Sequence, residues 1–509
     1  MSDASVAAAL RSDQALVVVE APAGCGKTHQ AAEYAHWLAS RPTGGQTLIL
    51  THTHAACDVF RSRTATLHRR VHITTIDGLV AQVGGAYHLA LGLPSDTAGW
   101  VRAQGDTGFE LLADKVGRLL ASSKVVTSAL VGRYSIVVCD EHQDANAAQH
   151  DIVMRLHAAG AKVRIFADPM QSIYVRGVKA RAEHAQRWRE LCGKADRVEE
   201  LDFPHRWADG SPELGQWILR ARLALKAGRP IDVRTERPAG LFVHWADNLA
   251  AARRGGVAFE TQIIRPVRKM IGAAASLMIL AGQNDTVRGV SAFLGRSVPI
   301  WEGHTRDGLP SLVAACIAGR GNPVAIAGAF TDFVQLVCKG FSDSAFADFL
   351  RAEVAAGAVK QRTRKPAQLQ ALARLILASP DHVGVAQALE LLVALKDGDA
   401  QFADVEIDLR REFREAMRLA TFADPASGLI EITRRRTAVR SNMPSKFIST
   451  VHKAKGLEAD HVLLLPCDKA HFGDAEEKRC LLYVALSRAK KSLTVVTATS
   501  TPSPWLICR

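Results

Sequence analysis

The stretch that most constrains this chain is Ala21-Pro22-Ala23-Gly24-Cys25-Gly26-Lys27-Thr28. It lies between a β-branched run, Ala15 to Glu20, and a segment of helical pattern from Thr28 to about Ser40. A strand, a glycine-rich turn and a helix in that order turn backbone N–H groups toward an anion, and the helix N-terminus adds a favourable dipole. Gly24 and Gly26 allow the turn. Lys27 is expected to reach the β- and γ-phosphates of a nucleotide, and the Thr28 hydroxyl to ligate Mg²⁺. Residues Ala23, Gly24, Cys25, Gly26, Lys27 and Thr28 are therefore the expected cradle, with Ala21 standing where the strict pattern has glycine.

Short apolar runs at 48–50, 71–74, 136–139 and 163–166 read as further strands separated by helical segments. The same style returns at 447–450, 462–465 and 493–496, while 79–131 and 301–440 read as mainly helical. Strands alternating with helices point to right-handed crossovers and a parallel sheet. The expected fold class is α/β: two parallel-sheet P-loop domains, each carrying a mainly helical insertion. The first domain is placed at 1–78 and 132–200, with its insertion at 79–131. The second is placed at 201–300 and 441–509, with its insertion at 301–440.

A carboxylate at the C-terminal end of a parallel strand faces the crevice where such sheets bind ligands. Asp140-Glu141-His142-Gln143-Asp144 closes the run Ile136–Cys139 in that way. Asp140 is expected to hold Mg²⁺, and Glu141 to polarise the attacking water as general base.

The net charge is +13. Such an excess fits a polyanionic partner or serves solubility, and charge alone leaves both readings open. The nine cysteines are scattered without a CxxC pair, which disfavours a zinc ribbon or a disulfide scaffold. The longest apolar stretch, Ile271 to Gly282, falls short of the ~18–20 residues a membrane span requires. The N-terminus lacks the basic and apolar regions of a secretory signal. A soluble, cytoplasmic chain with no membrane partner is the expectation.

Further boxes make the pattern more specific. Ala167-Asp168-Pro169-Met170-Gln171-Ser172-Ile173-Tyr174 follows the acidic strand end, and Leu201-Asp202-Phe203-Pro204-His205-Arg206-Trp207 comes next. Thr450-Val451-His452-Lys453-Ala454-Lys455-Gly456-Leu457-Glu458 and Leu482-Tyr483-Val484-Ala485-Leu486-Ser487-Arg488-Ala489 lie near the C-terminus. Thr51-His52-Thr53-His54-Ala55-Ala56 and Thr74-Thr75-Ile76-Asp77 are weaker matches. In this order the boxes resemble the UvrD/Rep/PcrA-type superfamily 1 DNA helicases along nearly the whole chain. The resemblance implies two RecA-like domains with ATP and Mg²⁺ in the cleft between them. It implies Gln171 as γ-phosphate sensor, Arg206 and Arg488 as arginine fingers, His205 stacking on the base, and Gly456 with Glu458 near the ribose. It further implies Thr51, His52, Thr75, Tyr174, Arg176 and His452 as nucleic-acid contacts, and 3′→5′ movement on single-stranded DNA or a 3′-tailed duplex.

The chain departs from that family in places. The adenine-reading Gln expected ~20 residues before the P-loop lysine is replaced by Ser5-Val6-Ala7, and no Trp follows Tyr174. Stacking on a base contributes about 1–3 kcal/mol, so the strand grip is either weaker or supplied elsewhere; Trp207, Trp188 and Tyr87 are candidates that fit a core role equally well. Asp77 stands where many relatives have His. The basic runs 360–365 and 434–436 could meet duplex DNA or be solvated faces. An alternative function is a nucleotide- and DNA-binding regulatory subunit of a nuclease or phage-defence complex, as in the helicase-like subunit of Gabija. An ordinary P-loop kinase or GTPase would leave every box after residue 160 unused.

Overall fold

The computed structural model describes residues 2–41, 44–67, 70–104, 107–235, 237–246, 248–252, 256–259, 261–295, 297–301, 308–407, 409–438 and 444–507. The chain forms two compact units, Met1–Trp301 with Pro444–Arg509, and Glu302–Met443.

The first unit begins with a six-stranded parallel sheet. Its strands are β1 (Leu16–Glu20), β2 (Thr47–Thr51), β3 (Val71–Thr75), β4 (Ile136–Cys139), β5 (Lys162–Ala167) and β6 (Arg197–Glu200), in spatial order β3-β2-β4-β5-β1-β6. The continuous apolar run of β1 is explained by cover on both faces. Leu16 and Val18 enter the core beneath the helices Ile76–Ala86 and Gly108–Ser122, while Val17 and Val19 face the helix Lys27–Ala39. Arg164 on β5 is wholly buried in that second face. Its guanidinium donates to the carbonyls of Leu10, Ser12 and Gln14 and lies 5.5 Å from the Tyr34 ring centre. It thereby satisfies the carbonyls that the helix Ser2–Arg11 leaves open at its end.

Beyond β6 the chain forms β7 (Ile231–Asp232), β8 (Leu241–Trp245), β9 (Asn248–Ala252), β10 (Gly256–Phe259) and β11 (Leu277–Ala281). It passes through the second unit, where β12 (Cys338–Lys339) and β13 (Glu406–Ile407) pair antiparallel. It returns as β14 (Lys446–Thr450), β15 (Ala459–Leu464), β16 (Ala489–Thr497) and β17 (Leu506–Ile507). A second parallel sheet has the order β14-β11-β15-β16-β8. Again successive residues alternate between two cores: Leu277 and Ile279 enter one, Met278 and Leu280 the other. The latter core is continuous with Ala23, Met170 and Ile173 of the first sheet's turns and with Trp207, Leu482 and Tyr483. Two α/β sheets of parallel strands are thus present, as the sequence pattern predicts.

The second unit is helical, built on Gly308–Ala318, Pro323–Val337, Asp348–Ala355, Lys365–Ala378, His382–Gly398, Arg410–Met417 and Pro425–Ala438. Phe330, Leu350, Leu372, Leu389, Phe402 and Phe413 fill its own core. The basic run at 360–365 divides in two. Arg362 donates to the buried carboxylate of Glu353, and the Lys365 ammonium lies 3.4 Å from the Phe346 ring centre. Lys360 and Arg364 face solvent. The side chains of Arg434–Arg436 lie outside the described residues. Among the described residues no helix is long and apolar enough to cross a membrane.

Candidate active site at the sheet ends

The glycine-rich turn runs from the C-terminal end of β1 into the helix Lys27–Ala39. Gly24 and Gly26 take φ of +76° and +84°, the region that favours glycine. Close packing restricts Gly24 as well, since a Cβ there would lie 2.6 Å from the Trp207 ring. Trp207 is therefore core, with its indole N–H donated to the Ala489 carbonyl at 2.6 Å. That corrects the expectation that it could stack on a base. Trp188 and Tyr87 also pack, partly buried, against the first sheet's core.

Lys27 pairs with Glu141, which also accepts from Gln143. Burial alone would raise the Glu141 carboxyl, but the Lys27 ammonium outweighs it and holds the group well below the usual carboxylate range. Glu141 adopts φ +54°, a costly conformation for a residue with a side chain. The turn thereby points successive carboxylates in different directions. Asp140 is 4 % exposed, and its Oδ1 is buried without a hydrogen-bond partner. Burial and the neighbouring Glu141 charge push its carboxyl upward, against the pull of Lys27. A desolvated carboxylate oxygen without a donor fits a divalent cation, so Asp140 is suited to the Mg²⁺ role assigned to it with Thr28.

Gln171 hangs from a buried network that the sequence reading did not find. The helix Pro212–Lys226 delivers Arg222 to Asp168 Oδ1 (3.0 Å), to Glu20 and to Glu200 (3.1 Å). Asp168 Oδ2 then accepts from the Gln171 amide at 3.0 Å. That fixes Gln171 Oε1 toward Arg488, whose Nη2 donates to it at 3.2 Å. Arg488 is 2 % exposed, with further donations to Val484 O, Leu457 O and Ser487 Oγ. Burial, with Arg206 nearby, lowers its guanidinium to about 10. Arg206 donates its backbone N–H to Gly24 O at 3.0 Å and its side chain to Glu458 (2.8 Å) and Ser487 O (2.6 Å). His205 sits against Gly26 and bonds Asp3 at 2.7 Å. Gly456 has φ +83°. The Ala23 N–H reaches the Tyr483 hydroxyl at 2.9 Å.

The expected nucleic-acid residues divide by exposure. Tyr174 and Arg176 are exposed. Tyr174 lies 6.3 Å from the His452 ring and donates its hydroxyl to the His452 carbonyl at 3.4 Å. Thr51 and Thr75 are buried. Thr51 donates to Thr53 O, while the Thr75 hydroxyl caps the helix Ile76–Ala86 by accepting from Gly78 N. Asp77 accepts from Gln149, which closes the capping box of the helix Ala147–Ala158 behind the acidic turn. His52, partly buried, joins a histidine group around the buried His142, whose ring meets His150 at 3.0 Å, while His184 bonds Gln143 O at 2.8 Å.

Desolvation lowers all four histidines below their ordinary value, His142 furthest, and their mutual repulsion lowers His142 more. The unfolded chain therefore takes up these protons near pH 6.5 while the folded chain refuses them. Their contribution is intact above that pH and lost as pH falls, by at most about 1.4 kcal/mol per unit for buried His142. The thermal midpoint is expected to drop between pH 7 and 5.5, and His142→Asn to shallow that slope. An unchanged slope in the variant would exclude His142 as a source.

Strand-end carboxylates, a glycine-rich turn with its lysine, and two arginines thus lie together: Lys27 pairs with Glu141, Arg206 bonds Gly24 O, and Arg488 bonds Gln171. Residues 4–177 match the AAA domain family, whose fold is RecA-like, and residues 446–496 match the UvrD-like helicase C-terminal domain. Together these matches support a UvrD/Rep-type superfamily 1 helicase, an ATP-dependent class that acts on nucleic acid. A search of curated proteins returned no match.

Proposed function

We propose that this chain hydrolyses ATP between two RecA-like domains, 1–78 with 132–200 and 201–300 with 441–509, to move 3′→5′ along single-stranded DNA. In this reading 79–131 and 301–440 are insertions. Lys27 and the cradle residues Ala23 to Thr28 bind the phosphates, and Asp140 and Thr28 would hold Mg²⁺, which neutralises charge on the β- and γ-oxygens when bound. Glu141 accepts the proton of the attacking water, Gln171 senses the γ-phosphate, and Arg206 and Arg488 stabilise its transition-state charge. His205 stacks on the base, with Gly456 and Glu458 beside the ribose.

Tyr174, Arg176, His452 and His52 line the strand path, while Thr51 and Thr75 hold the turns beneath it. The observation carrying the reading is the bond from Arg488, beside the second sheet, to Gln171, beside the first, the residue read here as the γ-phosphate sensor. ATPase turnover with single-stranded DNA, duplex DNA and RNA tests it, together with strand displacement on 3′- and 5′-tailed duplexes. Turnover stimulated by single-stranded DNA and unwinding of the 3′-tailed duplex are expected. Nucleotide hydrolysis indifferent to all three polymers would overturn the motor reading.

A further inference from the structure

Tyr483 stands in the helix Glu476–Leu486 with its side chain wholly buried. A buried phenol ordinarily finds a hydrogen-bond partner for its hydroxyl. Here the partner is the backbone N–H of Ala23, at 2.9 Å, in the first half of the glycine-rich turn. Burial holds the hydroxyl well above its ordinary pKa, so it meets that N–H as a neutral acceptor. The next residue of the turn is tied as well, because the Gly24 carbonyl accepts the Arg206 N–H at 3.0 Å. Ala23 therefore gives the cradle its shape, its own donor being already engaged.

The other end of Tyr483 leads to both arginines. Its carbonyl accepts the N–H of Ser487 at 3.0 Å. Ser487, also wholly buried, receives Arg206 on its carbonyl at 2.6 Å and Arg488 on its hydroxyl at 2.9 Å. One residue thus touches the glycine-rich turn through its hydroxyl and, through the adjoining serine, holds the two guanidinium groups. The spacer between those ends is a flat ring with only two rotatable bonds behind it.

Resting on the proposed function above, we propose that Tyr483 is a positioning residue that sets the distance between the phosphate cradle and the two arginines. Without its hydroxyl the leading limb of the turn loses its anchor, and the Ala23 N–H is left buried without that acceptor. The γ-phosphate then lies off the point where the guanidinium groups converge. Charge spreads over that group in the transition state, so the displacement acts on turnover more than on ground-state binding.

The test compares the full wild-type chain with Tyr483→Phe, which removes one oxygen and keeps the ring. Steady-state ATPase is measured with Mg²⁺ and single-stranded DNA. The kcat of the variant is expected to fall about tenfold or more, with KM for ATP within about threefold. Binding supplies a readout that a merely structural role would not move. Affinity for ADP with aluminium fluoride, a mimic of the transferring phosphoryl, is expected to fall in step with kcat, while affinity for a non-hydrolysable ATP analogue stays within about threefold. An unchanged kcat, or equal weakening of both ligands, overturns the inference. Should Tyr483→Phe fail to fold, trifluorotyrosine at position 483, which keeps the oxygen but makes it a poorer acceptor, decides by the same criterion. A wild-type chain that hydrolyses no ATP overturns the proposed function and this inference together, whereas turnover indifferent to the Tyr483 hydroxyl overturns the inference alone.

Discussion

Glu141→Gln is expected to slow ATP turnover by about 10²–10⁴-fold, the range that positioned general acid–base groups supply. Nucleotide binding is expected to survive and to tighten a few-fold. The reason lies in the pairing of Lys27: with Glu141 charged, incoming phosphate must displace a carboxylate that already satisfies the ammonium. Glutamine keeps the shape and the bond to Gln143 but releases that competition. Single-turnover hydrolysis beside equilibrium binding of a non-hydrolysable analogue separates the two effects. Weakened binding with unchanged turnover would remove Glu141 from the proton-accepting role.

The second large effect concerns Arg488. Removing an arginine finger costs about 10³–10⁵ in kcat, so Arg488→Ala is expected to abolish useful turnover while shifting nucleotide affinity only a few-fold. Because Arg488 also holds the carbonyls of Val484 and Leu457, its removal leaves buried acceptors unmet. Arg488→Lys serves as the companion: it retains a cation but not the fork that serves Gln171 and those carbonyls together. For Arg488→Lys, a thermal midpoint near wild type with lost turnover is the expected pair of observations, whereas Arg488→Ala is expected to lower the midpoint as well. Parallel loss of affinity and turnover would count against a role confined to the transition state.

Much of the fold was legible because its signals are local. The β1 run, the glycine-rich turn and the following helix sit within 25 residues of one another, and each carries its own propensity. The strands β8 and β11 escaped. Leu277–Ala281 lies inside a continuous apolar stretch, and short apolar runs do not distinguish strand from helix. The site divides in the same way. Its boxes were readable as boxes, but the links among them were not. Arg222 meets Asp168 across 54 positions, Asp77 meets Gln149 across 72, and Lys455 meets Asp144 across 311. Nothing in a linear pattern announces such partners, since a buried arginine on a helix looks like any solvated one until the sheet ends are placed beside it. The histidines at 52, 142, 150 and 184 carried a weak signal, an unusual density around the acidic box. Sequence spacing does not say that they face one another.

If the chain is the motor proposed above, the shared apolar core joining Ala23, Met170 and Ile173 to Trp207, Leu482 and Tyr483 limits how its two sheets can move. Its halves are glued by grease rather than facing each other across open water. A stroke that parted them like jaws would wet that seam at every cycle, so the economical motion is a glide or tilt along a joint that stays dry.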